Sequence, residues 1–462
     1  MDHAMVIAVV LIDSLRPDHL GCYGYRKQTS PNIDRIAQGA LLFENAFSQS
    51  NWTYPSVYSI ISGRYPSGLN LSWFNQKIHD DFKTFPDVLA ENGFNTAVFA
   101  SFEFLVNPGG FGSHFQSQSH LQLDDKTLPQ LMDWVKNNKK SFLFWHIGEY
   151  VHEPFFADKK DVNAFLDKDL LDYDPHPAVK ALTSPLDGPT QSEGEISTLR
   201  TIIGDINNRF VNLSPKDIAY MLACYDAGIN KVDSIIGQFH AQLQERLKNE
   251  NEEYLFFLIA DHGQGFLEHG IFGHGQGLYD EMIRVPMIVD YSGKYTGTIS
   301  QMAELLDISP TIMEIAGLNG AFRQDGHSLL TENIRSANFP KAEIISEGYP
   351  LICIRDEHHK LITSYFSFMK TGDICRKLCD KSKTKSNLRN LKACVMWDKL
   401  FDISNDAKEE GNLRWKKRDV HKRLKDRLIH FMETSGTTNL MPSEVSLEAE
   451  LLSKRLRDLG YL

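Results

Sequence analysis

The sequence predicts an α/β protein, a mostly parallel central sheet with helices on both faces, joined to a smaller C-terminal α+β subdomain. Three observations predict it. Short apolar runs rich in Val, Ile and Phe alternate with longer stretches of helical periodicity, the pattern of strands linked by crossover helices. The 462 residues exceed the ~100 to 200 of one ordinary domain. From residue 341 the composition turns basic and polar, so residues 1–340 form the larger unit and 341–462 the subdomain.

In chain order, residues 6–12 read as a first buried strand, followed by a helix from Asn32 and a strand near Leu41. Helices from Pro55 and Phe85 precede a strand at 96–100. Further strands fall at 142–147, 255–259 and 285–289, and 215–247 reads as one or two long helices. Residues 183–197, rich in Pro, Gly, Ser and Glu, read as an exposed insertion, and 446–459 as a last helix.

Composition excludes several classes. A formal net charge of −11 argues against a bulk nucleic-acid partner, so an anionic substrate must be met by local groups. The basic stretches 376–392 and 414–427 read as solvated helix faces, with steering of an anionic polymer or headgroup as the alternative. The run at 5–12 falls well short of the ~20 apolar residues that span a bilayer, and no later run reaches that length. Beginning almost at residue 1, it leaves no room for a secretion signal, and a cytoplasmic address is the expectation. Six sparse cysteines lack the spacing of a disulfide framework and are expected as thiols. Cys375, Cys379 and Cys394 with His358 and His359 lack the close cysteine pairs of a structural zinc site.

Four separated segments carry chemistry. Asp13 ends the first strand and would project a carboxylate into a cleft, although an Asp there also serves as a turn residue. In Asn51-Trp-Thr53-Tyr-Pro55, Pro55 suits a first helical turn, leaving Thr53 beside free N–H groups that favour anions; a plain Thr cap is the bland alternative. Asp261-His262-Gly263 follows an apolar run, an oxygen-plus-nitrogen pair suited to Zn²⁺ or Mn²⁺. His152 in Val-His-Glu-Pro and His274 in Gly-His-Gly complete the set; either alone reads as a structural histidine.

With these segments in this order, the chain resembles the sulfatase family of the alkaline phosphatase superfamily. Tyr225-Asp226 through Asp233, Leu306-Asp307 through Thr311, Gly326-His-Ser328 and Lys399-Leu-Phe401-Asp402 are similar to further family landmarks. The resemblance implies an alkaline phosphatase-like sandwich and a metal-dependent ester hydrolase. It assigns Asp13, Thr53, Asp261 and His262 to one divalent metal, and Thr53 as nucleophile. His152 and His274 become catalytic groups on the substrate oxygens, with Arg16 and Asn51 as substrate contacts, Arg16 equally suited to an ion pair with Asp18.

Departures from the family pattern refine the expectation. Sulfatases oxidise a Cys or Ser in Cys/Ser-x-Pro-Ser-Arg to formylglycine; here Thr53 cannot yield the aldehyde and Val57 replaces the Arg. No formylglycine is expected, and the Thr is similar to the unmodified nucleophile of superfamily phosphotransferases. A phosphate mono- or diester, hydrolysed or transferred through a phospho-threonine, is therefore the leading expectation. A sulfate ester is the alternative, and a non-catalytic binding protein the alternative of another class. Ser14 stands where many sulfatases have a second Asp, which favours Mn²⁺ or Zn²⁺ over Mg²⁺ or Ca²⁺. Asn230, four residues beyond Asp226, replaces the His of two-metal members, so one metal is expected. The sequence leaves the alcohol half of the ester and the oligomeric state open.

Overall fold

Eight consecutive apolar residues, Met5–Ile12, form β1 and are all buried, as a strand covered on both faces requires. The computed structural model describes residues 5–69, 82–106, 111–184, 193–250, 252–330, 341–348, 350–365 and 398–435. The main sheet adds β2 (Leu41–Phe47), β3 (Asn95–Ala100), β4 (Ser117–His120), β5 (Lys140–Ile147) and β6 (Glu253–Ile259). A small hairpin, β7 (Gly265–Phe266) and β8 (Phe272–Gly273), precedes β9 (Arg284–Val285), β10 (Met287–Tyr291) and β11 (Gly297–Glu304). The order across the sheet is β11-β2-β10-β6-β1-β5-β3-β4, with β9 against β2. β1 pairs in parallel with β5 on one side and β6 on the other, so its C-terminal end is interior to the sheet edge.

Among the helices, α1 (Pro31–Gln38) and α2 (Thr53–Ser62) follow β1 and β2, and α3 (Glu193–Asn207) precedes the long α4 (Pro215–Glu250). The 36 residues of α4 span roughly 54 Å at ~1.5 Å each. Its buried stripe runs from Met221 through Tyr225, Ile229, Val232, Ile236 and Phe239 to Leu247, and Phe239 meets Trp145 of β5 edge-on at 5.5 Å. Asp233 on α4 accepts the backbone N–H of Asn32 and of Ile33, so a carboxylate caps the positive end of α1 and fastens the two helices. No helix among the described residues is long and apolar enough to cross a membrane.

Several expectations change. Residues 284–291 are not one parallel strand: Pro286 breaks the run, and β10 lies antiparallel between β6 and β2. No crossover helix follows β6, so the chain turns back beyond the C-terminal end of β6 and returns beside it in the opposite direction. Edge strands β4 and β11 were not expected, because their largely polar, partly exposed sequences lack an apolar signature. The insertion at 183–197 holds the start of α3 instead of a loop throughout. The helix expected at 446–459, Cys375, Cys379, Cys394 and the basic stretch 376–392 lie outside the described residues.

The C-terminal subdomain is an antiparallel meander of β12 (Ile344–Gly348), β13 (Leu351–Arg355), β14 (His359–Ser364) and β15 (Lys399–Asp402), followed by α5 (Arg418–Ser435). Alternation divides its faces. Ile344, Leu351, Cys353, Ile362 and Phe401 pack on Phe47, Leu278 and Met282 of the larger unit, whereas Ile345, Ile352, Leu361 and Leu400 pack on Leu424 and Leu428 of α5. Across the joint, fully buried Lys360 pairs with Asp280 and Glu409, each at 2.8 Å. Removing that ammonium leaves buried Glu409 without its cation, while Asp280 keeps Arg355 at 2.6 Å. Lys360→Met is expected to cost about 3–5 kcal/mol, read by chemical denaturation, with part recovered in a Lys360→Met, Glu409→Gln double variant.

Candidate active site

Three parallel neighbours, β5, β1 and β6, end side by side, and the chain places a polar group at each end. Asp13 follows β1, its N–H donating to the Ile147 carbonyl at 2.8 Å. His146 is the penultimate residue of β5, and Asp261 and His262 follow β6. All four are fully buried. Ser14 adopts a left-handed φ of 62°, which lets its N–H reach Asp261 Oδ1 at 3.2 Å while its hydroxyl donates to Asp13 Oδ1 at 2.9 Å. Asp261 Oδ1 also accepts the His262 N–H at 2.9 Å. After His262 the turn closes against Glu281, whose carbonyl would lie 2.1 Å from a side chain at position 263, so Gly263 is sterically required.

The α2 helix opens at Thr53, with Trp52 extended ahead of it, so Thr53 is the first helical residue and no cap. Its hydroxyl lies 3.3 Å from Asp13 Oδ2 and 3.2 Å from His262 Nε2. His262 Nδ1 faces the Gly263 carbonyl at 2.9 Å and must be its protonated nitrogen, which leaves Nε2 with a lone pair. Thr53 therefore has two acceptors in reach and one proton.

Beside this group stand His152, Glu153 and His274. The His152 Nδ1–H donates to the Glu153 carbonyl at 2.7 Å, turning Nε2 away from it. The Glu153 carboxylate lies 3.5 Å from His274 Nδ1 and accepts from Gln264 Nε2 at 3.0 Å. The ring of His274 stacks on His262 at 4.6 Å and meets His152 edge-on at 4.9 Å. The environments divide the pair. Burial would discharge His152, but Glu153 and Asp13 outweigh it and raise its pKa. Burial pushes His274 down to about 3, so it is neutral. Burial opposes the charge on Glu153, yet His152 and His274 hold its pKa below the usual carboxylate value.

The residues fit a divalent cation. Among the described residues no Lys or Arg pairs with Asp13 or Asp261, and Asp261 Oδ2 is buried with no hydrogen-bond partner. Two carboxylates so placed need a proton or a cation between them. Burial opposes ionisation of Asp13, but His152, His146 and His262 overcome it and hold its pKa far down. Burial and the Asp13 charge push Asp261 up to about 8.

Arg16 is not directed at this centre. Its guanidinium pairs with Asp18 at 2.7 Å and Glu268 at 2.5 Å and donates to the Gln264 carbonyl at 2.9 Å, which uses it as a strut beneath the Asp261 turn. Asn51 is fully buried; its Nδ2 donates to the Gly277 carbonyl at 2.7 Å and its own carbonyl accepts the Gly275 N–H at 2.8 Å. It ties the His274 loop to the segment that carries Thr53. Asp226 is occupied elsewhere, bonding His19 and Tyr25, each at 2.7 Å. Sequence reasoning missed His146, Glu153 and Gln264. A single imidazole inside the otherwise apolar run 142–147 was the available signal for the first; the other two carry none without the fold.

Comparison with known proteins agrees with this geometry. A family model described as Sulfatase matches residues 6–318. Human iduronate 2-sulfatase is 42% identical over 96 residues, 20% of this chain and 17% of that protein. An ulvan-active sulfatase of Formosa agariphila is 26% identical over 330 residues, 68% of this chain and 61% of its own length. The matches thus span less than two thirds of either relative. The fold is similar to a structure solved with D-glucosamine-2-N,6-O-disulfate as substrate, TM-score 0.67 at 18% identity over 96% of this chain and 100% of that one. It is also similar to a phosphonate monoester hydrolase of Agrobacterium radiobacter, TM-score 0.65 at 14% identity over 93% and 95%. With the family match covering well over half of its residues and Thr53, Asp13 and Asp261 gathered at the C-terminal ends of central strands, the chain belongs to the sulfatase family of hydrolases.

Proposed function

We propose that this protein hydrolyses a sulfate ester through direct attack by Thr53. The observation that carries the reading is the Thr53 hydroxyl between Asp13 Oδ2 and His262 Nε2, at 3.3 and 3.2 Å, on the first residue of a helix. Relatives named as sulfatases support sulfate as the acid, ahead of the phosphate that position 53 alone suggests. A second reading, a phosphate or phosphonate ester, is favoured by the side chain: threonine cannot form the aldehyde on which sulfatases of the usual pattern rely. Both readings use the same atoms.

A divalent ion, Mn²⁺ or Zn²⁺ in preference to Mg²⁺ or Ca²⁺, held by Asp13, Asp261, His262 and the Thr53 hydroxyl, would lower the hydroxyl pKa and offset the charge of the ester. Asp13 and His262 orient Oγ1 so that a lone pair faces the incoming acid group. The positive end of the α2 dipole favours negative charge beside it. Attack passes the Thr53 proton to Asp13 Oδ2, 3.3 Å away, forms the bond from Oγ1 to sulfur or phosphorus and breaks the ester bond on the opposite side. His152, whose pKa Glu153 and Asp13 raise against burial, gives a proton from Nε2 to the departing alkoxide. Neutral His274 donates a ring N–H to a nonbridging oxygen. Water then hydrolyses the threonine ester, restoring Thr53.

Three outcomes are expected. Nitrophenyl sulfate should turn over faster than matched phosphate monoester, diester and phosphonate, and Thr53→Ala should lose on the order of 10³-fold or more of kcat. Fastest turnover of a phosphorus ester, still lost in Thr53→Ala, selects the second reading. His152→Gln should lose ~10² to 10⁴-fold on poorly leaving alkyl alcohols and much less on nitrophenol, which needs no proton. Because Asp261 is pushed up to about 8, it is protonated at pH 7, and cation binding must displace that proton. Calorimetry in buffers of different ionisation enthalpy should show close to one proton released at pH 7, with affinity rising until the pH passes about 8.

A further inference from the structure

The centre contains one imidazole to which neither the nucleophile nor the leaving group gives a task. His146 reaches the site from β5, where the parallel register sets it opposite Leu11, two residues before Asp13. It has no exposed surface, and its Nε2 lies 3.2 Å from Asp13 Oδ2. Donor atoms of Asp13, His146 and Asp261 all fall within 4.8 Å of one another. Ligand atoms on opposite sides of an ion bound at ~2.0 to 2.2 Å stand roughly 4 Å apart, so small movements close this cluster on one ion.

We propose that His146 Nε2 is a ligand of the same divalent ion as Asp13 and Asp261, an assignment that rests on the metal-dependent reading above. The competing account makes His146 a hydrogen-bond donor that merely orients Asp13. His146 Nδ1 is buried with no hydrogen-bond partner, so no second contact fixes which ring nitrogen carries the proton, and Nε2 faces Asp13 Oδ2 at 3.2 Å either as a donor or with its lone pair. A proton there serves Asp13 alone, and Asp261 Oδ2, buried with no hydrogen-bond partner, needs a second proton of its own. A cation satisfies all three atoms at once.

Ser14 explains why the position is open to a histidine. Its hydroxyl donates to Asp13 Oδ1 and its N–H to Asp261 Oδ1, so it braces the carboxylates from outside. The strand on the other side of β1 then supplies the further donor. With His262, the set holds two imidazole nitrogens, which shifts preference from Ca²⁺, an oxygen-seeking ion, towards Zn²⁺ and Mn²⁺.

Pulsed EPR of the full chain loaded with Mn²⁺ counts the imidazole nitrogens coupled to the ion. Two are expected in the natural chain and one in His146→Gln, which keeps an N–H donor towards Asp13 but loses the ring nitrogen. Mn²⁺ affinity by calorimetry should fall at least ~10-fold in that variant. Absence of any coupled imidazole nitrogen in the Mn²⁺-loaded natural chain overturns the assignment, and needs no variant to fold. Equal affinity and an unchanged spectrum in a folded His146→Gln overturn it too. Failure of the natural chain to bind Mn²⁺ at all overturns the metal reading itself, and this assignment with it.

Discussion

Two carboxylates buried side by side set the terms for this molecule. Asp13 and Asp261 extend from adjacent parallel strands, and no Lys or Arg among the described residues neutralises them. Like charges out of water repel and lose their hydration, a cost met only by hydrogen bonds, a proton or a cation. Everything nearby serves that end: the N–H groups of Ser14 and His262 at one oxygen of Asp261, the Ser14 hydroxyl at Asp13, and imidazoles around both. The strained Ser14 backbone is the local cost of aiming a donor at the far strand.

That arrangement also governs how an anionic ester is met. Arg16, the nearest arginine in sequence to Asp13, is committed to Asp18 and Glu268. On the proposed reading, positive charge facing the ester comes from a bound ion and from His152. Glu153 makes the second source effective, because one carboxylate beside two imidazoles favours charge on one ring while burial keeps the other neutral. Two imidazoles of different charge preference thus stand together at one pH.

Much of this was legible in the sequence, and the divide follows physical lines. Strands β1, β5 and β6 are buried on both faces, so their runs are nearly uniformly apolar and the residue that ends each run stands out. Asp13, Asp261 and His262 were readable for that reason. Thr53 was readable from its segment and its family resemblance together. His146 was not, because lateral strand pairing, which no local pattern encodes, is what brings it to Asp13. The role of Arg16 turned on Glu268, 252 residues away. The edge strands β4 and β11 were invisible because partly exposed sides lose their apolar signature.

Hydrogen bonds from β12 to the approach to the nucleophile carry a consequence for the architecture. The Glu347 N–H donates to the Gln49 carbonyl, the Ser50 hydroxyl to the Glu347 carbonyl and the Ser346 hydroxyl to the Ser48 carbonyl. Arg355 and Lys360 meanwhile hold Asp280, six residues beyond His274. The C-terminal meander therefore grips both loops of the reacting centre from behind, as a keystone holds two sides of an arch. Cutting the protein between its two units would leave the segment before Thr53 and the loop after His274 without their common abutment.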